Sequence, residues 1–282
     1  MMLKETIIQG VFFTAACVCI LSAVLIGLFL FTNGLPAMGR IGPLAFLTGT
    51  VWNPGSDVYG VAPMILGSCS VTAGAMLTGL PAGVLTAVFM AKFCGRRLRA
   101  CLSSGVSLLA GIPSILYGFF ALIVVVPAIR ALFGGGGKSL LTASLLLGIM
   151  ILPTIITVSE AAIRAVPESY YEGALALGAT HEQAVFFVVL PAAKSGIMAA
   201  AVLGVGRAVG ETMAVVMVAG NQALIPAGLL DGLRTLTANI VLEMGYAAGL
   251  HRDALIATAV VLLAGILGIN ALLALTKRSF SR

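Results

Sequence analysis

Six long apolar stretches decide most of what this chain can become. They run near residues 7–32, 64–91, 101–127, 139–159, 192–219 and 254–275, and only the fifth carries charges at its centre. An apolar run of about 20 residues is enough to cross a bilayer as a helix. Charged residues make up 9% of the 282 positions and hydrophobic ones 60%, whereas a water-soluble domain holds about 25% charged residues. No interior of this size hides so much apolar surface. The runs are continuous, not alternating segments of about ten residues, which argues for helices over a membrane barrel. The expected fold is an all-α integral membrane protein with six transmembrane helices. Pro113 and Pro153 fall inside the expected spans and read as kinks, which membrane helices tolerate when neighbours satisfy the freed carbonyls.

Lysine and arginine in the connecting segments set the orientation. With the N-terminus inside, Lys4, Lys92, Arg96, Arg97, Arg99, Arg164, Lys194, Lys277, Arg278 and Arg282 are cytoplasmic, and Arg40, Arg130, Lys138, Arg234 and Arg252 lie outside. Both termini are then expected in the cytoplasm of a multi-pass protein of the cytoplasmic (inner) membrane. This bias accounts for most of the net charge of +6 without nucleic acid as a partner. The first run is too long for a signal-peptide core and lacks a following small-residue cleavage site, so a retained span is expected. Cys17 after Thr14-Ala15-Ala16 faintly suggests a lipoprotein site, but the apolar run continues to Phe31. The five cysteines read as small packing residues, with no disulfide expected.

Two local patterns point to soluble-enzyme chemistry and fail. GGGGKS at 134–139 matches the end of a phosphate-binding loop, but Leu132 stands where that motif needs glycine. It reads as a flexible turn between spans. The two histidines, His181 inside and His251 outside, are separated by the membrane, so they cannot share a metal. Each reads as a loop residue in water, with His181 a possible interface contact. No metal ligand set and no catalytic nucleophile–base pair is expected.

The inner loop 160–191, EAAIRAVPESYYEGALALGATHEQAVFFVVLP, is strongly punctuated. Pro167 suits a first helical turn, and Glu168 and Glu172 lie near its positive end. Gly178 is placed to end that helix in a left-handed cap. Thr180 with Gln183 forms a capping box for a second helix, which Pro191 closes or kinks. Glu172-Gly173-Ala174, then Gly178, then Val188-Val189-Leu190-Pro191 resembles the signature of permease subunits of binding-protein-dependent ABC importers, with both spacings matched and mild departures at Gly173 and Val188. The literal EAA at 160–162 has Val166 where the glycine belongs. The resemblance implies the type I importer fold, with a cytoplasmic coupling helix between helices four and five that docks in a cleft of an ATPase. Tyr170, Tyr171, Glu172, Gly173, Ala174 and Gly178 would form that contact.

From about residue 60 onward, ILPTIITVSEAAIRAVPESYYEGALALGAT, GRAVGETMAVVMVAGN and LTANIVLEMGYAAG resemble the PstC-type branch, the permeases of phosphate importers. This implies residues 1–60 as an N-terminal helix with an outer loop and 61–282 as the permease core. The implied partners are a PstA-type permease, two copies of a cytoplasmic ATPase, an external phosphate-binding protein and the lipid bilayer. The chain itself would hold no cofactor, ATP-Mg being bound by the ATPase. Permeases for sulfate, molybdate or another oxyanion, and an ATP-independent ion-coupled carrier, are the alternatives.

Arg207 and Glu211 occur in an otherwise apolar span. Arg207 lies thirteen positions after Lys194 and fourteen before Asn221, about 20 Å each way at the helical rise. Arg207 is thus expected near the midplane, where an isolated charge costs about 2.5–3.5 kcal/mol on insertion scales. At i and i+4 the two side chains can pair, with Gly206 and Gly210 allowing another helix to approach. They read either as a buried pair fixing register or as the lining of a passage, Arg207 meeting an anion and Glu211 steadying it. The planar guanidinium, charged at every working pH, suits phosphate.

Overall fold

A computed structural model describes residues 2–280, with side chains over residues 8–271. Helix α1 (Met2–Ile41) is followed by α2 (Pro43–Thr48) and a small antiparallel hairpin, β1 (Trp52–Asn53) and β2 (Val58–Tyr59). Helix α3 (Ala62–Val88) runs on through a π-helical turn at Phe89–Phe93. Next come α4 (Arg96–Gly111), α5 (Ser114–Phe120), α6 (Val126–Phe133) and α7 (Leu140–Arg164). The remainder is α8 (Glu168–Ala176), α9 (His181–Ala184), α10 (Leu190–Ala192), α11 (Lys194–Gly210), α12 (Met213–Val218), α13 (Leu236–Glu243) and α14 (Gly249–Phe280).

Among the described residues five helices are long and apolar enough to span a membrane, and a sixth span exists if His181–Ala192 and Lys194–Gly210, bent by 67°, count as one. Four expected spans are found with shifted ends, as Ile8–Ile41, Ala62–Phe93, Leu140–Arg164 and Gly249–Ala271. The other two differ. A single span over 101–127 is not formed: the chain breaks at Ile112-Pro113, and the membrane-length helix is Ser114–Phe133. Proline has no N–H to donate and disfavours helical geometry in the residue before it. Ile112 accordingly sits at ψ 125. The fifth helix does not run continuously over 192–219 either; it stops at Gly210 and restarts at Met213. The glycine run at 134–137 is a turn between α6 and α7, with Gly134, Gly135 and Gly137 at φ 78, 70 and 75.

Inner denotes the end of the bundle carrying Lys92, Arg164 and Glu172, and outer the opposite end. Helices α3 and α7 form the central contact. A Cβ on Gly79 of α3 would stand 2.7 Å from the Gly148 carbonyl oxygen of α7, so only glycine lets the backbones meet there. Val71, Leu147, Ile151, Ile155 and Val215 fill the middle of the bundle. Ala87, Val88, Ile163, Val185 and Val189 fill the inner end, and Phe46, Trp52, Tyr59, Met64 and Leu255 the outer end. Phe12, Phe13, Leu77 and Leu108 are exposed, as residues facing lipid are. In that setting close packing and internal hydrogen bonds hold helices together, because the surroundings are as apolar as leucine.

Candidate functional site

The break in the fifth span positions Arg207 and Glu211. Glu211 follows the last helical residue in extended geometry, φ −70 and ψ 133. Its carboxylate Oε1 accepts from the Thr212 N–H at 3.1 Å and the Ala214 N–H at 3.4 Å, and its carbonyl accepts from the Thr237 hydroxyl at 3.1 Å. Backbone groups freed by the break are thus satisfied by side chains, the condition for irregular backbone at membrane depth. Arg207, half-buried on the last turns of α11, donates from Nη1 to the Thr154 hydroxyl of α7 at 3.3 Å.

The i to i+4 pairing of Arg207 with Glu211 is therefore not formed. No ion pair joins them among the described residues, because Glu211 has left the helix and turned to α12. Gly206 and Gly210 face open space, with no other element among the described residues within 4 Å of a Cβ placed there. The structure brings Arg207 together with Thr154 and leaves Glu211 as a backbone cap.

At the inner end the local punctuation folds as its residues dictate. Pro167 precedes the first turn of α8, one residue earlier than expected. Gly178 sits at φ 89 and ends the helix, its N–H bonding the Leu175 carbonyl at 2.9 Å. Thr180 and Gln183 exchange both bonds of a capping box, at 2.9 and 3.3 Å. Of the residues expected to meet an ATPase, Tyr170 is 54% exposed and Ala174 is buried. Tyr171 turns inward: its hydroxyl is 2.7 Å from His181 Nδ1, and Lys92 Nζ lies 5.0 Å from its ring centroid. Lys92 also pairs with Glu168 at 3.0 Å, and Phe93 meets the His181 ring edge-on at 4.6 Å. The helix is thus tied to the inner end of α3. Nearby, buried Glu160 accepts from Arg99 Nε at 2.6 Å, fastening α4 to α7.

The third polar cluster, at the outer end, escaped sequence reasoning. The Glu243 carboxylate accepts from Trp52 Nε1 at 2.8 Å and from Arg234 Nη1 at 2.6 Å, and lies 2.8 Å from His251 Nε2. Burial pushes its pKa up, but the bonds from Trp52, His251 and Arg234 outweigh this and hold it below its ordinary value. Tyr59 stacks on His251 at 6.1 Å, and burial with a hydrogen bond to Asp57 pushes its pKa up to about 12. His251 is not the solvated loop residue expected; its side chain is 13% exposed. Trp52 and Glu243 lie 191 positions apart, and no local spacing announces such a contact.

Residues 79–282 match the family model described as binding-protein-dependent transport system inner membrane component. The chain belongs to that family. The permease is 41% identical over 246 residues to the probable ABC transporter permease protein YqgH of Bacillus subtilis, across 85% of this chain and 80% of that protein. It is 35% identical over 273 residues to the phosphate transport system permease protein PstC of Mesorhizobium japonicum, across 88% and 83%. Among solved structures, an inward-facing form of the MetNI methionine ABC transporter superposes with a TM-score of 0.60 at 25% identity, covering 79% of the permease and 95% of that chain. An amino acid ABC transporter with histidines gives 0.56 at 19%, covering 77% and 92%. The permease is thus a multi-pass inner-membrane subunit with the type I importer architecture.

Proposed function

We propose that this permease subunit carries inorganic phosphate into the cell by alternating access, driven by ATP hydrolysis on partner chains. The observation that supports it best is Arg207. Its guanidinium, expected near the middle of the membrane from its place in the fifth span, is held by a neutral hydroxyl, Thr154, and by no carboxylate among the described residues. A positive charge so placed favours an anion, and the fork of N–H donors matches phosphate oxygens. Phosphate is the preferred anion because relatives at 33–35% identity are named phosphate permeases.

The partners in this reading are a PstA-type permease, two copies of the ATPase and an external phosphate-binding protein. The second permease would pack against Gly206 and Gly210, so that Arg207 and Glu211 border a passage shared between the two. Tyr170, Glu172 and Gly173 on α8 would meet the ATPase, with Gly178 fixing the turn and Tyr171 and Ala174 holding α8 to the bundle. Both termini would lie in the cytoplasm. A permease for sulfate or molybdate would share these features.

The test is uptake into membrane vesicles holding the co-expressed complex. Arg207→Gln is expected to assemble and to lose phosphate uptake, and Arg207→Lys to be impaired. Adding Glu211→Gln to Arg207→Gln is expected to restore nothing, since the two side chains are not paired. Near-normal uptake by the double variant refutes the passage role, and faster uptake of sulfate than phosphate by the unaltered complex refutes the cargo.

A further inference from the structure

Helix α13 is eight residues long and is tied to the break that follows Arg207. Neutral groups fasten its first turn. The Thr237 hydroxyl donates to the Glu211 carbonyl at 3.1 Å, and the Leu236 N–H donates to Ser68 Oγ of α3 at 2.9 Å. Its last residue is Glu243, whose three partners differ in where they come from. Arg234 stands just before the helix, and its Nη1 also bonds Asn239 Oδ1 on α13 at 2.9 Å. It belongs to the same short segment, with its Nε on the Asn221 carbonyl at the segment's base, 3.0 Å away. Trp52 belongs to the outer hairpin, and His251 to α14.

We infer that residues 234–243 form the outer lid of the passage, and that Glu243 is the latch holding this lid against the hairpin and α14. The inference rests on Arg207 lining that passage. The distribution of charge makes the segment movable. A buried carboxylate stripped of every partner is strongly destabilising. Here Arg234 travels with Glu243, so the lid carries its own counter-ion; of the bonds to the Glu243 carboxylate only those from Trp52 Nε1 and His251 Nε2 have to let go, while Leu236 gives up its packing in the outer core. Both bonds engage a charged group and are stronger than neutral ones. The two are enough to favour closure and few enough to permit opening. The receiving side is preassembled without the lid: Trp52 meets Tyr59 edge-on at 5.4 Å, and Tyr59 stacks on His251. Residues 1–60 thereby acquire a role, since their hairpin carries one of the two donors.

A cysteine at Ala238, fully buried on α13 and outside the polar ties of the lid, reports lid opening, in an assembled complex stripped of native cysteines, through its labelling by an impermeant maleimide applied from outside. Trp52→Phe removes the indole N–H and keeps a ring against Tyr59. His251→Phe removes the imidazole and keeps a ring in the stack. Each is expected to raise the labelling rate about tenfold, as loss of one hydrogen bond to a charged group implies, and the pair to raise it further. A control cysteine at Thr258, buried on α14 two turns beyond His251, is expected to keep its original rate. Unchanged labelling at position 238 in the double variant overturns the latch. An equal gain at 258 also overturns it, because the outer end would then be loosening as a whole. Neither cargo nor nucleotide enters the measurement. A failure here is therefore distinct from failure of the passage reading, which uptake by the Arg207 variants decides.

Discussion

Replacing Gly178 isolates what the turn after α8 contributes. Its φ is 89, and a Cβ added there meets nothing within 4 Å. The cost of a side chain is therefore one of backbone conformation, about 1–2 kcal/mol for an L residue in the left-handed region. Asn, which visits that region routinely, falls at or below the low end, Ala lies between, and β-branched Val falls at the top. The same turn holds two bonds, from the Gly178 N–H to the Leu175 carbonyl at 2.9 Å and from the Ala179 N–H to the Ala174 carbonyl at 3.1 Å. A penalty of 1–2 kcal/mol lowers the population of the native turn by about 5–30-fold. Gly178→Asn, Gly178→Ala and Gly178→Val are thus expected to reduce ATPase co-purification and phosphate uptake in that order, each normalised to inserted protein. Wild-type values for Val, or equal damage from Asn and Val, refute the claim that turn geometry governs docking.

Two further outcomes follow from the charges. Cysteines placed at Lys138 and Arg252 are expected to react with impermeant reagents only from outside, and those at Arg97 and Glu172 only from inside; external labelling at 172 would invert the assignment. Arg99→Ala is expected to destabilise the detergent-solubilised protein by about 1–3 kcal/mol, because it leaves the carboxylate of Glu160 without its partner in a part-buried site, whereas Arg99→Ala with Glu160→Gln recovers most of the loss. Equal unfolding midpoints for the single and double variants would show that a stranded Glu160 carboxylate is not the source of the loss.

Four spans, the inner helix–turn–helix and its cap were legible because their signals are local. Apolar run length, a glycine at a helix end and a Thr-x-x-Gln box each act within a few residues. The break at Pro113 was visible as a residue but misjudged as a kink, since apolar composition on both sides hid the change of helix. At Glu211 the break has no proline to announce it; it is sustained by Thr237 and by the side chain of Glu211 itself, contacts that exist only once the chain has folded. The same holds for Tyr171 with His181 and for Glu243 with Trp52. Long-range pairing between single polar residues leaves no periodicity to read.

The 67° angle between His181–Ala192 and Lys194–Gly210 sets how force is divided at the inner surface. The first segment is twelve residues, an arm of about 18 Å. By simple projection of that angle, a push along the arm resolves into roughly four-tenths along α11 and nine-tenths across it. Such a push swings the inner end of α11 sideways far more than it drives the helix along its axis like a piston. A swing about the contact where Arg207 meets Thr154 moves the two ends of the helix in opposite directions while that contact stays nearly still. A joint of this shape at Ala193 would convert displacement at the inner end into rocking about the level of Arg207.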